Sequence, residues 1–145
     1  MSAILTSLIR KRLPEWNLKV FGMTDFEQIC CNEKILFVEG IGREHKGEFI
    51  PFENRNMIIL RAGLPEGDRR WVAFHELGHY FLHAAAHQFS RSANRRMDRE
   101  ANIFATVALL PSSLLETDNG QMAFDGYYPN EFVRMRYEIF QEYGL

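Results

Sequence analysis

Residues 71–83, Trp71-Val72-Ala73-Phe74-His75-Glu76-Leu77-Gly78-His79-Tyr80-Phe81-Leu82-His83, constrain the fold of this chain more than any other stretch. The pattern inside it, His-Glu-x-x-His, has a common chemistry only on a helix. At 3.6 residues per turn, positions i and i+4 lie one turn apart on one face, so His75 and His79 can point their imidazoles at a single metal ion. Glu76 projects beside them, placed to take a proton from a metal-bound water instead of filling a coordination site. A catalytic zinc takes three protein ligands and keeps one position open. The helix therefore needs a second element packed against it to carry the third ligand.

The surroundings support a helix. Trp71, Val72, Phe74 and Leu82 form an apolar side at helical spacing, Asp68 is the expected N-cap, and the pattern runs through Ala84 to Ala86 and His87, so the helix is expected over 68–87. Four of the five histidines fall on it. His83 and His87 lie some 6 and 12 Å beyond His79 along the axis, too far to share its metal. A supporting or packing role is expected for His83, and solvent exposure for His87. Gly78 costs about 1 kcal/mol relative to Ala in a helix interior. Its missing side chain would let another backbone come close.

The partner is expected at 97–110, from Met97 to Leu110, where Pro111 stops the helix. Two acids are available there. Asp98 shares a face with Ala101, Asn102 and Ala105, small residues that allow close helix packing, whereas Glu100 shares its face with Ile103, Phe104 and Val107. Asp98 is the first choice for third ligand and Glu100 the alternative. The plainer reading is that both are solvated first-turn acids favoured by the helix dipole.

The remainder reads as one α+β domain spanning 1–145. Ile4, Leu5, Leu8, Ile9 and Leu13 make an amphipathic helix over 1–14, ended by Pro14. Over 17–60, the runs Lys19-Val20-Phe21, Ile35-Leu36-Phe37-Val38, Phe49-Ile50 and Met57-Ile58-Ile59-Leu60 are bounded by Gly, Pro and Asn and predict a small mixed or antiparallel sheet of three or four strands. His45 falls in a Gly-flanked stretch read as a hairpin tip. Residues 88–96 read as a basic loop, Ser113-x-x-Glu116 as a capping box, and 117–126 as a loop. A helix over 129–143, stopped by Gly144, is expected to close the core.

A net charge of −2 offers no global attraction for nucleic acid or anionic membrane, and no stretch approaches the roughly 20 apolar residues that span a bilayer. No direct nucleic-acid or membrane partner is expected. Adjacent Cys30 and Cys31 are a strained pair for a mutual disulfide, which points to a reducing compartment; with no secretory leader pattern, the expectation is cytoplasmic.

Met57-Ile58-Ile59-Leu60, Arg69 through His83, Asp98-Arg99-Glu100-Ala101-Asn102-Ile103-Phe104-Ala105 on to Leu109-Leu110-Pro111, and the ending Arg136 through Leu145 together resemble the ImmA/IrrE-type metallopeptidases. The resemblance implies a compact zincin-like domain and a zinc-dependent endopeptidase, with manganese as a further candidate ion. It implies His75, His79 and an acid at position 98 as metal ligands and Glu76 as the catalytic group. Its protein substrate would be a DNA-binding helix-turn-helix repressor of a phage, mobile element or stress regulon. The family usually has Glu where this chain has Asp98, one methylene shorter, so the helices sit closer, Glu100 substitutes, or the metal is held less firmly. The chain starts almost at the catalytic domain, so the target is expected to be a separate protein. The substrate is expected as an extended strand on a sheet edge. Tyr80, His83, Arg95 and Tyr127 are candidates for stabilising the oxyanion. The alternative function is a metal-binding regulator on the same fold that binds a repressor or antitoxin-like partner without cutting it.

Overall fold

Leu5, Ile9 and Leu13 recur every four residues, and all three are buried, so the first helix, α1 (Ala3–Arg12), packs one stripe against the core and leaves Ile4 outside. A computed structural model describes residues 3–16, 18–52, 55–87, 95–112 and 130–145. The segment expected to open the sheet does otherwise. Lys19-Val20-Phe21 joins no strand, and the Phe21 N–H donates to the carbonyl of Ala108. It leads into a helix, α2 (Met23–Asn32).

The reason is local. Met23, Phe26 and Cys30 are spaced i, i+3, i+7 and all are buried, while the Asp25 carboxylate folds back to accept the Gly22 N–H at 2.8 Å. The helix ends with Lys34 at φ 58°, in the left-handed region, as Ile35 N–H reaches Cys30 O and Lys34 N–H reaches Cys31 O. That is a Schellman closure, with the buried pair Cys30 and Ile35 as its apolar contact. Both cysteines are free thiols, and burial pushes Cys30 up to about 12.

Strands β1 (Leu36–Gly40), β2 (Gly47–Phe52) and β3 (Arg55–Arg61) form a mixed sheet in the order β1-β3-β2, parallel between β1 and β3 and antiparallel between β2 and β3. The turn at His45 is therefore no hairpin, because β3 lies between the strands it joins; His45 itself is exposed as expected. Ile58, Leu60 and Phe49 point inward and are buried. Among the described strands β2 pairs on one side only, and it runs alongside α3 (Glu66–His87). That helix starts two residues before Asp68: the Pro65 carbonyl accepts the Arg69 N–H, and Asp68 becomes a first-turn acid.

The closest packing joins α3 to α4 (Arg95–Leu109). A Cβ at Gly78 would lie 3.1 Å from both Cα and O of Ala101. This is backbone against backbone, which no side-chain rotation relieves. Gly78→Val is expected to destabilise the metal-free protein by about 3 kcal/mol, as overpacking with the wrong branch point, readable as a lower urea midpoint. The last helix, α5 (Asn130–Tyr143), stacks Phe132 on Trp71 at 3.6 Å and buries Ile139 and Arg136. Arg136 donates to the carbonyls of Leu110 and Leu145, and its burial lowers it to about 10. The capping box at Ser113 and the loop over 117–126 lie outside the described residues, as does most of the basic loop. Among the described residues no helix is long and apolar enough to cross a membrane.

Candidate metal centre

His75 and His79 share the face of α3 that α4 covers, and their Nε2 atoms stand 3.1 Å apart. Asp98, in the first turn of α4, brings Oδ1 to 3.1 Å from His79 Nε2 and 3.7 Å from His75 Nε2. Ligands about 2.05 Å from a tetrahedral zinc are separated from one another by roughly 3.3 Å. The three observed spacings bracket that value, and the donor set of two imidazoles and a carboxylate suits a borderline-soft divalent ion. Among the described residues, His75, His79 and Asp98 form such a group.

Glu100 is directed elsewhere. Its Oε1 lies 3.2 Å from Arg96 Nε and 3.7 Å from His83 Nε2. With α4 in backbone contact at Gly78 and Ala101, the shorter aspartate side chain at 98 still brings Oδ1 within 3.7 Å of both histidines.

Each histidine is held from behind. Nδ1 of His75 lies 2.7 Å from Oδ1 of Asn102, an acceptor, so that nitrogen carries the proton and Nε2 presents its lone pair. The sequence marks Asn102 only by its position four residues after Asp98 on the same helical face, which does not by itself assign it this role. Burial lowers His75, against the opposing pull of Asn102 and Asp98, which favours the neutral ring that a metal requires.

Glu76 is buried, 8% exposed, under strand β2. Gly47 makes room for it: a Cβ there would lie 2.3 Å from Val72 Cγ1 and 3.3 Å from Glu76 Oε1. Burial first, then the charges of Asp98 and Glu48, push the Glu76 carboxyl up to about 8, while a backbone hydrogen bond from Phe49 works in the opposite direction. An acid raised from 4.5 in the unfolded chain to about 8 in the fold contributes stability that is fully present below pH 4.5 and is lost as pH rises through 8. Metal-free protein should therefore lose stability between those limits relative to Glu76→Gln. The difference should reach on the order of 2 to 4 kcal/mol above pH 8, measured by urea unfolding at several pH values.

The oxyanion candidates fall in different places. The Tyr80 hydroxyl donates to Glu33 Oε2 at 3.0 Å. Arg95 is exposed at the start of α4, His83 is buried behind His79, and Tyr127 lies outside the described residues, as does the side chain of His87.

Residues 36–141 match the profile of a peptidase family described as the IrrE N-terminal-like domain. The chain is also similar to Metallopeptidase ImmA of Bacillus subtilis (strain 168), at 24% identity over 120 residues, covering 79% of this chain and 71% of that protein.

Proposed function

The chain belongs to the IrrE N-terminal-like peptidase family, and from that membership we propose that it is a metal-dependent endopeptidase. The observation that carries the reading is the convergence of His75 Nε2, His79 Nε2 and Asp98 Oδ1 beside a buried Glu76. In this reading these three residues hold the ion, zinc before manganese. Bound there, the ion supplies Lewis acidity, bringing the pKa of water toward 7 and polarising the scissile carbonyl.

The chain's own groups do the rest. Glu76 accepts a proton from the attacking water and returns it to the leaving amine; its carboxyl is already poised near neutrality, and a nearby divalent cation favours its ionised form. Asn102 holds the His75 ring through Nδ1, which would leave Nε2 available to hold the ion. Strand β2, unpaired on its outer side among the described strands and packed beside Glu76, offers main-chain groups to an extended substrate segment. The family resemblance suggests a helix-turn-helix repressor of a phage, mobile element or stress regulon as the substrate.

Zinc-loaded protein incubated with purified helix-turn-helix repressors drawn from its genomic neighbourhood should yield a discrete cleavage product by mass spectrometry, abolished by a chelator and restored by zinc. A stable complex with intact repressor would instead favour the non-cleaving regulator.

A further inference from the structure

His79 lies at the centre of the metal group, and its other ring nitrogen is also engaged: Nδ1 is 3.2 Å from Nδ1 of His83. Two ring nitrogens facing each other share one proton, so one donates and the other accepts. For Nε2 of His79 to present a lone pair beside His75 and Asp98, the proton must sit on His79 Nδ1, and His83 Nδ1 must accept it. His83 then carries its own proton on Nε2. That atom lies 3.7 Å from Glu100 Oε1, an electrostatic contact longer than a hydrogen bond, and the same oxygen is held by Arg96 Nε at 3.2 Å.

We propose that His83 and Glu100 form a positioning relay that sets the tautomer and ring orientation of His79, with Glu100 acting through His83 and not on the metal. The direction of the relay follows from the chemistry of its far end. Glu100 as a carboxylate only accepts, so it orients the His83 proton toward itself and leaves His83 Nδ1 as an acceptor for His79. The opposite order would put a proton on His79 Nε2 and close that nitrogen to a metal. His83 is buried at 8% exposure, where the attraction between its N–H and the carboxylate is little screened. The two ligand histidines are therefore unequal. His75 is backed by a neutral amide, whereas His79 is backed through an imidazole by a carboxylate, which makes its Nε2 the stronger donor.

This inference rests on the reading of His75, His79 and Asp98 as ligands. Its test uses zinc dissociation constants from competition with a chromophoric chelator and the visible spectrum of the cobalt-loaded protein, with circular dichroism confirming that each variant is folded. His83→Phe is expected to weaken zinc about 10- to 100-fold and to shift the cobalt bands. His83→Gln, whose amide oxygen accepts the same N–H, should recover part of that loss. Glu100→Gln should weaken zinc by less than His83→Phe, and should cost nothing more once His83 is Phe.

If Glu100→Gln costs the same in both backgrounds, Glu100 acts on the metal directly and the relay is wrong. Wild-type affinity in His83→Phe and Glu100→Gln, alongside lost zinc in Asp98→Ala, would overturn the relay and leave the metal centre standing. Absence of zinc binding by the wild-type chain would remove the metal centre itself.

Discussion

Glu76→Gln is expected to keep its metal and lose hydrolysis, with kcat falling about 10²- to 10⁴-fold while zinc stoichiometry stays that of the wild type. The amide has the size and shape of the carboxyl and leaves His75, His79 and Asp98 in place, but it cannot take a proton from water. It also removes a buried acid that the fold holds in its neutral form near pH 7, so the variant should be at least as stable as the wild type when metal-free. Metal analysis and single-turnover cleavage on the same preparation separate the outcomes. Unchanged turnover would remove Glu76 from the chemistry, and lost zinc would make it a ligand.

Asp98→Ala and His79→Ala should each weaken zinc on the order of 10²- to 10³-fold, the loss expected when a binding free energy of roughly 10 kcal/mol is carried by three ligands and one is deleted. Asp98→Asn, which keeps an oxygen donor but not the charge, should fall between alanine and the wild type. Equilibrium dialysis against a zinc buffer measures all three. Undiminished binding in Asp98→Ala would mean that the third ligand is not the one whose Oδ1 sits 3.1 Å from His79.

Much of the fold was legible because its signals are short-range. The stripes of α1 and α3, the runs that became β1, β2 and β3, and the stop at Pro111 are all patterns within one element. The departures from those patterns have the same origin. Lys19-Val20-Phe21 has strand composition, but Phe21 N–H finds its partner on α4 rather than in a ladder. The helix over Met23–Asn32 spans only 10 residues, and its one buried face rests on just Met23, Phe26 and Cys30. The turn at His45 looked like a hairpin because sequence adjacency favours pairing neighbours, whereas the sheet inserts β3 between them.

Within the candidate site, the sequence alone determined which residues share the face of one helix. The spacing i to i+4 sets the His75 and His79 pair through the pitch of the backbone, and the small residues after Asp98 mark the face of the second helix that can come close. The tertiary structure decided everything that depends on a distance between elements. It brings Asp98 to both imidazoles and sends Glu100 to His83, because Gly78 and Ala101 let the helices approach to backbone contact. It raises Glu76 because Gly47 lets β2 cover it and exclude water. Local geometry is encoded in a few neighbouring residues. Burial and inter-helix spacing are the summed result of packing along the whole chain.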